Sequence, residues 1–127
     1  MEKEKAFNLP ACGLKTFYKR YLDLIQPFTK INKRDCDILS EILVLNYEKR
    51  DIPMEDRMSI ILSRKSRKVL EDKLHITDQV VRYSIHNLKK AKIITDKGLS
   101  PVVSPIPGEN FSLSFNFTID TTDAKES

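Results

Sequence analysis

The sequence predicts a mainly α-helical fold with a small β-sheet, which is an α+β architecture. Between residues 14 and 90, apolar residues recur at the spacing of helices that bury one face. The turn signal Asp96-Lys97-Gly98 follows a short β-type run and predicts a hairpin. Residues 111–119, FSLSFNFTI, alternate apolar and polar side chains and predict a half-buried strand.

Length and composition are those of a soluble globular protein with one hydrophobic core. The chain has 127 residues, of which 40% are hydrophobic and 31% charged. We expect a single domain over residues 1–120 and a flexible tail over residues 121–127. No apolar run approaches the roughly 20 residues of a membrane helix, and the first residues lack the apolar core of a signal peptide. We therefore expect no membrane contact and a cytoplasmic location, in a host cytoplasm or a virion if a phage encodes the protein.

Two amphipathic helices are predicted in the first half of the chain. An apolar stripe predicts a helix over about residues 14–28 that ends at Pro27. The members of this stripe are Phe17, Tyr21, Ile25 and Phe28. Asn32 is placed to cap the next helix, whose broad apolar face indicates packing on several sides or packing against a second subunit. The sequence leaves these two alternatives open.

The next segments predict two shorter helices. Asp51 and Pro53 mark the start of the first, and residues 58–63, MSIILS, could finish it or form a short strand. Ser63 is placed to cap the second, which opens with a basic cluster, RKSRK. Because a helix N-terminus prefers acidic groups, this cluster indicates either a bound anion or a tolerated surface arrangement.

Residues 74–94, LHITDQVVRYSIHNLKKAKII, predict a turn followed by a basic amphipathic helix. Thr77 is placed to cap this helix, and Asp78 lies in its first turn, where the helix dipole favours an acid. The apolar stripe of this helix is Val81, Ile85 and Leu88. The predicted hairpin then leads into a proline-rich loop, SPIPGEN.

The positive charge is concentrated in one part of the chain. Residues 62–99 carry 10 Lys and Arg against 4 Asp and Glu, a net charge of +6. Residues 1–61 carry 11 against 10, a net charge of +1, and residues 100–127 carry 1 against 4, a net charge of −3. A local basic excess of this kind favours a polyanionic partner, although a solvated lysine-rich face would have the same composition.

The order helix, helix, turn, helix, hairpin resembles the winged helix-turn-helix family over about residues 60–103. Leu74, Ile76 and Thr77 match the family's turn, and Ile93-Ile94 match the start of its wing. The family's buried positions on the second helix are matched by Val81, Ile85 and Leu88. His75 and Lys92 stand where the family usually has glycine. The resemblance implies a winged helix with an N-terminal helical extension at about residues 14–28 and a C-terminal strand at about residues 111–119.

The resemblance also implies a set of contacts with double-stranded DNA. The helix over about residues 77–90 would lie in the major groove, with a wing near Lys97. The residues expected to contact bases are Thr77, Asp78, Gln79, Arg82, Tyr83 and His86. The residues expected to contact phosphates are Lys65, Lys68, Lys89, Lys90 and Lys97. Gln79 has the side chain for paired hydrogen bonds to adenine and Arg82 for guanine, whereas lysine–phosphate contacts position the protein without reading sequence.

These implications favour a DNA-binding transcriptional regulator. The broad apolar helix and the aromatic helix at residues 14–28 suggest a homodimer, since paired half-sites raise affinity for DNA. The alternative is a non-catalytic protein-interaction module that uses a winged-helix fold in a phage virion, packaging apparatus or replication assembly.

An enzyme is not expected. His75 and His86 are the only histidines, and neither has a metal-ligand spacing with a cysteine. No Ser/His/Asp set, carboxylate pair or phosphate-binding loop can be assembled from the sequence. We therefore expect no metal and no cofactor. Cys12 and Cys36 are expected to be buried free thiols.

Overall fold

The computed structural model describes residues 10–119 and is mainly helical over that range. The helices are α1 (Leu14–Thr29), α2 (Lys33–Glu48), α3 (Met54–Ile61), α4 (Arg64–Leu74) and α5 (Asp78–Lys90). Strands β1 (Ile94–Thr95) and β2 (Gly98–Leu99) form a two-stranded antiparallel sheet, and a 3-10 helix follows at Pro101–Val103. The predicted α+β class is therefore confirmed. The predicted tail at residues 121–127 lies outside the described residues.

The predicted helix caps are present at three helix starts. The side chain of Asn32 accepts a hydrogen bond from the Asp35 N–H at 2.8 Å, at the start of α2. Ser63 accepts one from the Ser66 N–H at 3.3 Å, at the start of α4. Each bond satisfies a backbone donor that has no partner within its helix, and such a cap stabilises a helix by about 1 kcal/mol. The third cap, Thr77, belongs to the site described below.

Helix α2 is the centre of the fold and packs against each of the other four helices. Ile38, Leu39, Ile42 and Leu43 are completely buried on it. The broad apolar face of α2 is thus covered within a single chain, and it needs no second subunit. The carboxylate of Glu41 is also buried, and it pairs with Lys15 of α1 at 2.7 Å and with Lys73 of α4 at 3.7 Å.

The buried face of α1 differs from the predicted stripe. Tyr18, Leu22 and Ile25 are buried, whereas Phe28 is exposed. Helix α1 also continues through Pro27 to Thr29, because a proline in the last turn removes one donor without blocking the residues after it. Rotation of the buried face leaves an aromatic and apolar surface on the outer side of α1.

The loop between α2 and α3 is organised by the buried guanidinium of Arg57. Its Nη1 donates to the side-chain oxygen of Asn46 at 3.0 Å, and Nη2 donates to the carbonyls of Arg50 at 2.8 Å and Ile52 at 2.7 Å. Residues 58–61, which the sequence left open between helix and strand, belong to α3. Asp51 does not cap α3, since Pro53 is the residue that precedes its first turn and no side-chain cap bond is formed there.

The predicted C-terminal strand is wrong, because residues 111–119 form no strand in the structure. A strand needs a neighbour for its backbone groups, and none of the described residues supplies one. The apolar face of the segment instead contacts α1, through Phe111 against Tyr21 and Phe115 against Phe28. The alternating pattern therefore correctly indicated an amphipathic segment, but the segment does not pair as a strand with any described residue.

Residues 102–105 are held against α1 by hydrogen bonds from two tyrosine hydroxyls. Tyr18 donates to the carbonyl of Pro105 at 3.0 Å, and Tyr21 donates to the carbonyl of Val102. Burial, with a smaller contribution from Tyr47, raises the pKa of Tyr18 from 10.0 to about 12. Burial also raises the pKa of Tyr21. Both hydroxyls are held in the protonated form that donates.

This arrangement predicts a loss of stability in alkali that depends on Tyr18. Because folding raises its pKa, the stabilisation is complete below pH 10.0 and is lost as the pH rises towards about 12. The free energy of unfolding should fall by about 1–2 kcal/mol over that interval on account of Tyr18. Urea denaturation across the interval measures it, and Tyr18→Phe should lose this part of the decrease while keeping the part due to Tyr21. Equal slopes for the two proteins would contradict the prediction.

Both cysteines are free thiols, but they are less buried than predicted. Cys12 is exposed at the start of α1, and Cys36 is half-buried on α2. Burial, together with the nearby carboxylates of Asp23, Asp37 and Asp35, raises the pKa of Cys36 to about 11. Since the thiolate is the reactive form, Cys36 is a poor nucleophile at neutral pH.

Candidate nucleic-acid interface

Helices α4 and α5 are joined by a tight turn, His75 to Thr77. His75 adopts a left-handed conformation (φ 55°, ψ 48°), and its N–H donates to the carbonyl of Glu71. The Ile76 N–H donates to the same carbonyl at 3.1 Å, and the Ile76 side chain packs against the core. Thr77 then caps α5 as predicted, accepting from the Val80 N–H at 3.3 Å. The turn thus fixes the direction in which α5 leaves α4.

The two positions where the sequence lacks an expected glycine both have positive φ. His75 has φ 55° and Lys92, just after α5, has φ 62°. A residue with a Cβ pays roughly 1–2 kcal/mol in this region relative to the right-handed conformation. The backbone therefore has, at both positions, the conformation for which glycine is preferred.

Helix α5 buries one face and exposes the other. Val81, Ile85 and Leu88 are buried as predicted, with Ser84 beside them. The exposed side chains are Gln79, Arg82, Tyr83, His86, Lys89 and Lys90. Asn87 lies between the two faces and donates to the carboxylate of Asp35 on α2 at 3.4 Å. Five of the six predicted base-contact residues are thus exposed, Thr77 included, and Asp78 is the half-buried exception.

Asp78 is held by three arginines and is not free to contact a base. Its Oδ1 forms ion pairs with Arg67 Nε at 3.0 Å and with Arg64 Nη1 at 3.1 Å, while its Oδ2 forms one with Arg82 Nε at 3.0 Å. The hydrogen bond from Arg67 lowers the pKa of Asp78, as do the charges of Arg64 and Arg82, against an opposing effect of desolvation. Asp78 consequently stays ionised, and it ties the start of α4 to the start of α5.

The arginine cluster accounts for the basic residues at the start of α4. Arg64 also donates to Glu71 at 2.7 Å, and this bond is the main reason that its pKa is raised. Arg67 donates in addition to the carbonyl of Leu62 at 2.9 Å. Of the two predicted phosphate-contact lysines here, Lys65 is exposed and Lys68 pairs with Asp72 at 3.3 Å. The charges of Arg64, Arg67 and Lys68 are thus paired with acidic side chains of the same chain.

Shallow clefts flank α5 on its two sides. The cleft on the α4 side has a volume of about 270 Å³ and is lined by Leu62, Arg67, Arg82, Ile85, His86 and Lys89. The cleft on the α2 side has a volume of about 290 Å³ and is lined by Asn32, Arg34, Asp35, Gln79, Val80, Tyr83, Ser84 and Asn87. The structure therefore groups Arg82, His86 and Lys89 along one flank and Gln79 and Tyr83 along the other.

The hairpin after α5 is short and rigidly placed. Ile94 pairs with Leu99 and Thr95 with Gly98, so Asp96 and Lys97 form its two-residue turn. The Thr95 hydroxyl donates to the Gly98 carbonyl at 3.1 Å and accepts from the Lys97 N–H at 3.2 Å. Strand β1 packs against α5 and β2 against α3, and the side chain of Lys97 is exposed at the tip.

Three arginines on this surface were missed by the sequence analysis. Arg64 and Arg67 were noted only as part of a basic cluster, although their spacing from Asp78 across a helix-turn-helix could have indicated the ion pairs. Arg34 lies beside Gln79 and Tyr83 only because α2 crosses α5, and no local signal in the sequence reports that contact.

Comparison of the chain with protein-family models, curated proteins and solved structures gave no match. Within residues 10–119, no helix combines the length and apolar character that crossing a membrane requires. Across the same residues, no three side chains among His, Cys, Asp and Glu are grouped so that they could hold a metal ion.

Proposed function

We propose that this chain is a DNA-binding protein of the winged helix-turn-helix type and acts as a transcriptional regulator. In this proposal α5 is the recognition helix that lies in the major groove, and the β1–β2 hairpin is a short wing that carries Lys97 to the phosphate backbone. The observation that carries the proposal is the exposed face of α5, which presents polar and basic side chains only, apart from Tyr83.

Two features of the backbone support the winged-helix assignment. The turn before α5 and the residue after it adopt left-handed conformations at His75 and Lys92, where the family has glycines. The hairpin that follows α5 packs against both α5 and α3. These features are matters of backbone geometry, whereas the resemblance was drawn from the residue pattern; a left-handed residue also follows α1, at Lys30, so the order of turn, helix and hairpin carries the support.

The chemistry of the exposed face suits DNA more than a random solvated surface. Gln79 and Arg82 have the planar side chains that read adenine and guanine in the major groove. Lys89 and Lys90 lie in the last turn of α5, near the position of the helix that would approach a phosphate strand. Arg82 must exchange its contact with Asp78 for a base, whereas the two lysines are exposed.

A salt series with a short fluorescent DNA duplex tests the proposal. We expect binding at about 50 mM salt that weakens steeply towards about 200 mM, because bound lysines and arginines release counterions from DNA. Replacing both Lys89 and Lys90 by alanine should reduce the slope of log affinity against log salt by about 2. The matched control is Lys19→Ala on α1 with Lys30→Ala just after it, which removes the same charge and should leave the slope unchanged.

Two results would contradict this proposal. Absence of binding at low salt would exclude the DNA-binding function and favour the protein-interaction module. Equal loss of slope in the α5 and α1 variants would mean that net charge alone attracts the DNA. Arg82→Ala addresses readout separately, since retained weak binding with a loss of sequence preference assigns Arg82 to a base.

A further inference from the structure

Residues 110–119 are an amphipathic segment whose backbone has no hydrogen-bond partner among residues 10–119. They contain no charged side chain, and apolar residues alternate strictly from Phe111 to Ile119. Within the described part of the chain these residues form no backbone–backbone hydrogen bond. A segment of this pattern and composition is suited to pair with another strand, and an uncharged flat edge is the kind that other chains join.

The start of this segment covers α1, and its end is exposed among the residues that the structure describes. The ring of Phe111 lies 5.7 Å from that of Tyr21, and the ring of Phe115 lies 5.2 Å from that of Phe28. These contacts mean that the segment runs in the same direction as α1 and reaches its C-terminal end at Phe115. Beyond that point Phe117 is 93% exposed and Ile119 is 76% exposed.

The outer face of α1 is equally uncovered at its end. Leu24 is 65% exposed and Phe28 is 67% exposed, although Phe28 already contacts Phe115. Together with the apolar side chains of the C-terminal segment they form one surface, which we call the α1/C-terminal patch. Its members are Leu24, Phe28, Phe111, Phe115, Phe117 and Ile119.

We propose that a second copy of this chain covers the α1/C-terminal patch by antiparallel pairing of the two segments at residues 111–119. The pair forms a two-stranded ribbon with Phe115 at its centre, lying across the α1 helices of both copies. This proposal does not rest on the proposed DNA binding.

The sequence pattern restricts the register of this pairing, and centring it on Phe115 places every apolar residue of the segment opposite another apolar residue. In an antiparallel pair centred on Phe115, Phe111 lies opposite Ile119 of the second copy, and Leu113 lies opposite its Phe117. All apolar side chains then share one face of the ribbon, and the polar residues share the other. A shift by one residue would place apolar side chains on both faces. Exchanging the two copies leaves this pairing unchanged, as the two-fold axis of a symmetric dimer requires.

The register explains why the end of the segment is exposed in one chain. Phe117 and Ile119 of one copy fall beside Leu113 and Phe111 of the second copy, which lie over that copy's α1. Each copy thus covers the stretch of the other copy's α1 between Tyr21 and Phe28, where Leu24 is exposed. Phe111 and Phe115 remain on their own α1 in this arrangement.

The size and charge of the patch favour a second copy over an acidic or basic partner. Removing its exposed side chains from water would bury on the order of 700 Å² in each chain, given the area of large apolar side chains. Specific, stable interfaces bury roughly 600–1,000 Å² on each partner, so a patch of this size lies within that range. The absence of charge in residues 110–119 removes any repulsion between identical segments.

Molar mass measured by light scattering during size-exclusion chromatography tests the proposal. We expect a dimer for the full chain and a monomer for Phe117→Lys with Ile119→Lys at the same concentration, with dimer affinity lowered at least about 100-fold. These two side chains are exposed, so the fold should be retained, which circular dichroism checks. The matched control is Asn116→Lys with Thr118→Lys, which adds the same charge to the polar face and should leave the dimer intact.

Disulfide formation tests the register, in a Cys12→Ser background. Position 112 of one copy lies opposite position 118 of the other, within the distance that a disulfide spans. Two copies of position 112 lie about 20 Å apart. A mixture of the Ser112→Cys and Thr118→Cys proteins should therefore cross-link, and neither protein alone should. A monomer at every concentration, a dimer unaffected by the Phe117 and Ile119 changes, or cross-linking of Ser112→Cys with itself would each overturn the proposal.

Discussion

Arg57→Met is expected to lower the free energy of unfolding by about 3 kcal/mol. Arg57 is buried, and its guanidinium supplies donors to the Asn46 side chain and to the carbonyls of Arg50 and Ile52. A methionine fills a similar volume and leaves these acceptors without donors in a region that water does not reach. Arg57→Lys should cost about 2 kcal/mol, since one ammonium cannot reproduce the planar fork of donors. Urea denaturation measures both values.

Arg50 provides the matched control for this prediction. Its guanidinium is exposed, donates to the carbonyl of Tyr47 at 2.9 Å and stacks on the Tyr47 ring at 4.1 Å. Arg50→Met removes the same charge from the same loop and should cost less than about 1 kcal/mol, because water replaces an exposed contact. Similar losses for Arg50→Met and Arg57→Met would show that charge, rather than the buried hydrogen bonds, stabilises the loop.

Gly98→Ala is the second change with a large expected effect, a loss of about 3 kcal/mol. Gly98 has φ 125°, a conformation that side-chain-bearing residues rarely adopt. An added Cβ would also lie 2.4 Å from Met54 Cγ and 2.7 Å from its Sδ. Either the Met54 side chain must change its conformation or the hairpin must deform or move away from α3. Thermal unfolding measures the loss, and under the proposed function the variant should also weaken DNA binding, because Lys97 shifts with the hairpin.

The two causes of this loss can be separated with glycine 108. Gly108 also has positive φ, at 90°, but a Cβ there would meet nothing within 4 Å. Gly108→Ala should thus show the backbone cost alone, about 1 kcal/mol. Combining Met54→Ala with Gly98→Ala should recover part of the loss relative to the sum of the single changes. Strict additivity of the two changes would exclude the steric explanation.

Local chemistry made the helix starts predictable from the sequence. Asn32, Ser63 and Thr77 cap their helices through hydrogen bonds to residues three positions along, which any reader of the sequence can place. The buried stripe of α5 followed from periodicity in the same way. These three caps and this stripe depend on neighbours in the chain, so the sequence was sufficient for them, whereas the end of α1 and the start of α3 differ from the prediction.

Contacts between distant residues explain what the sequence did not predict. Glu41 has a polar side chain on a helix and is nevertheless buried, because Lys15 and Lys73 reach it from two other helices. The prediction of a strand at residues 111–119 was wrong because alternation indicates an apolar face, whereas a strand also needs a neighbouring strand that lies elsewhere in the chain. At the site, Asp78 was expected to contact a base, and instead it forms ion pairs with arginines on another helix.

The three arginines around Asp78 have a consequence for the thermodynamics of the proposed DNA complex. Asp78 acts as an internal counterion, so Arg64, Arg67 and Arg82 are already partly neutralised before a polyanion arrives. A phosphate or base that recruits Arg82 displaces a carboxylate of the protein in addition to mobile ions. The effective charge that these three arginines present to DNA is therefore smaller than their formal +3, and Asp78 is one of the four acids already counted in the +6 of residues 62–99. In the proposed complex this internal pairing would restrain the affinity for arbitrary DNA in favour of sites where Arg82 gains a base.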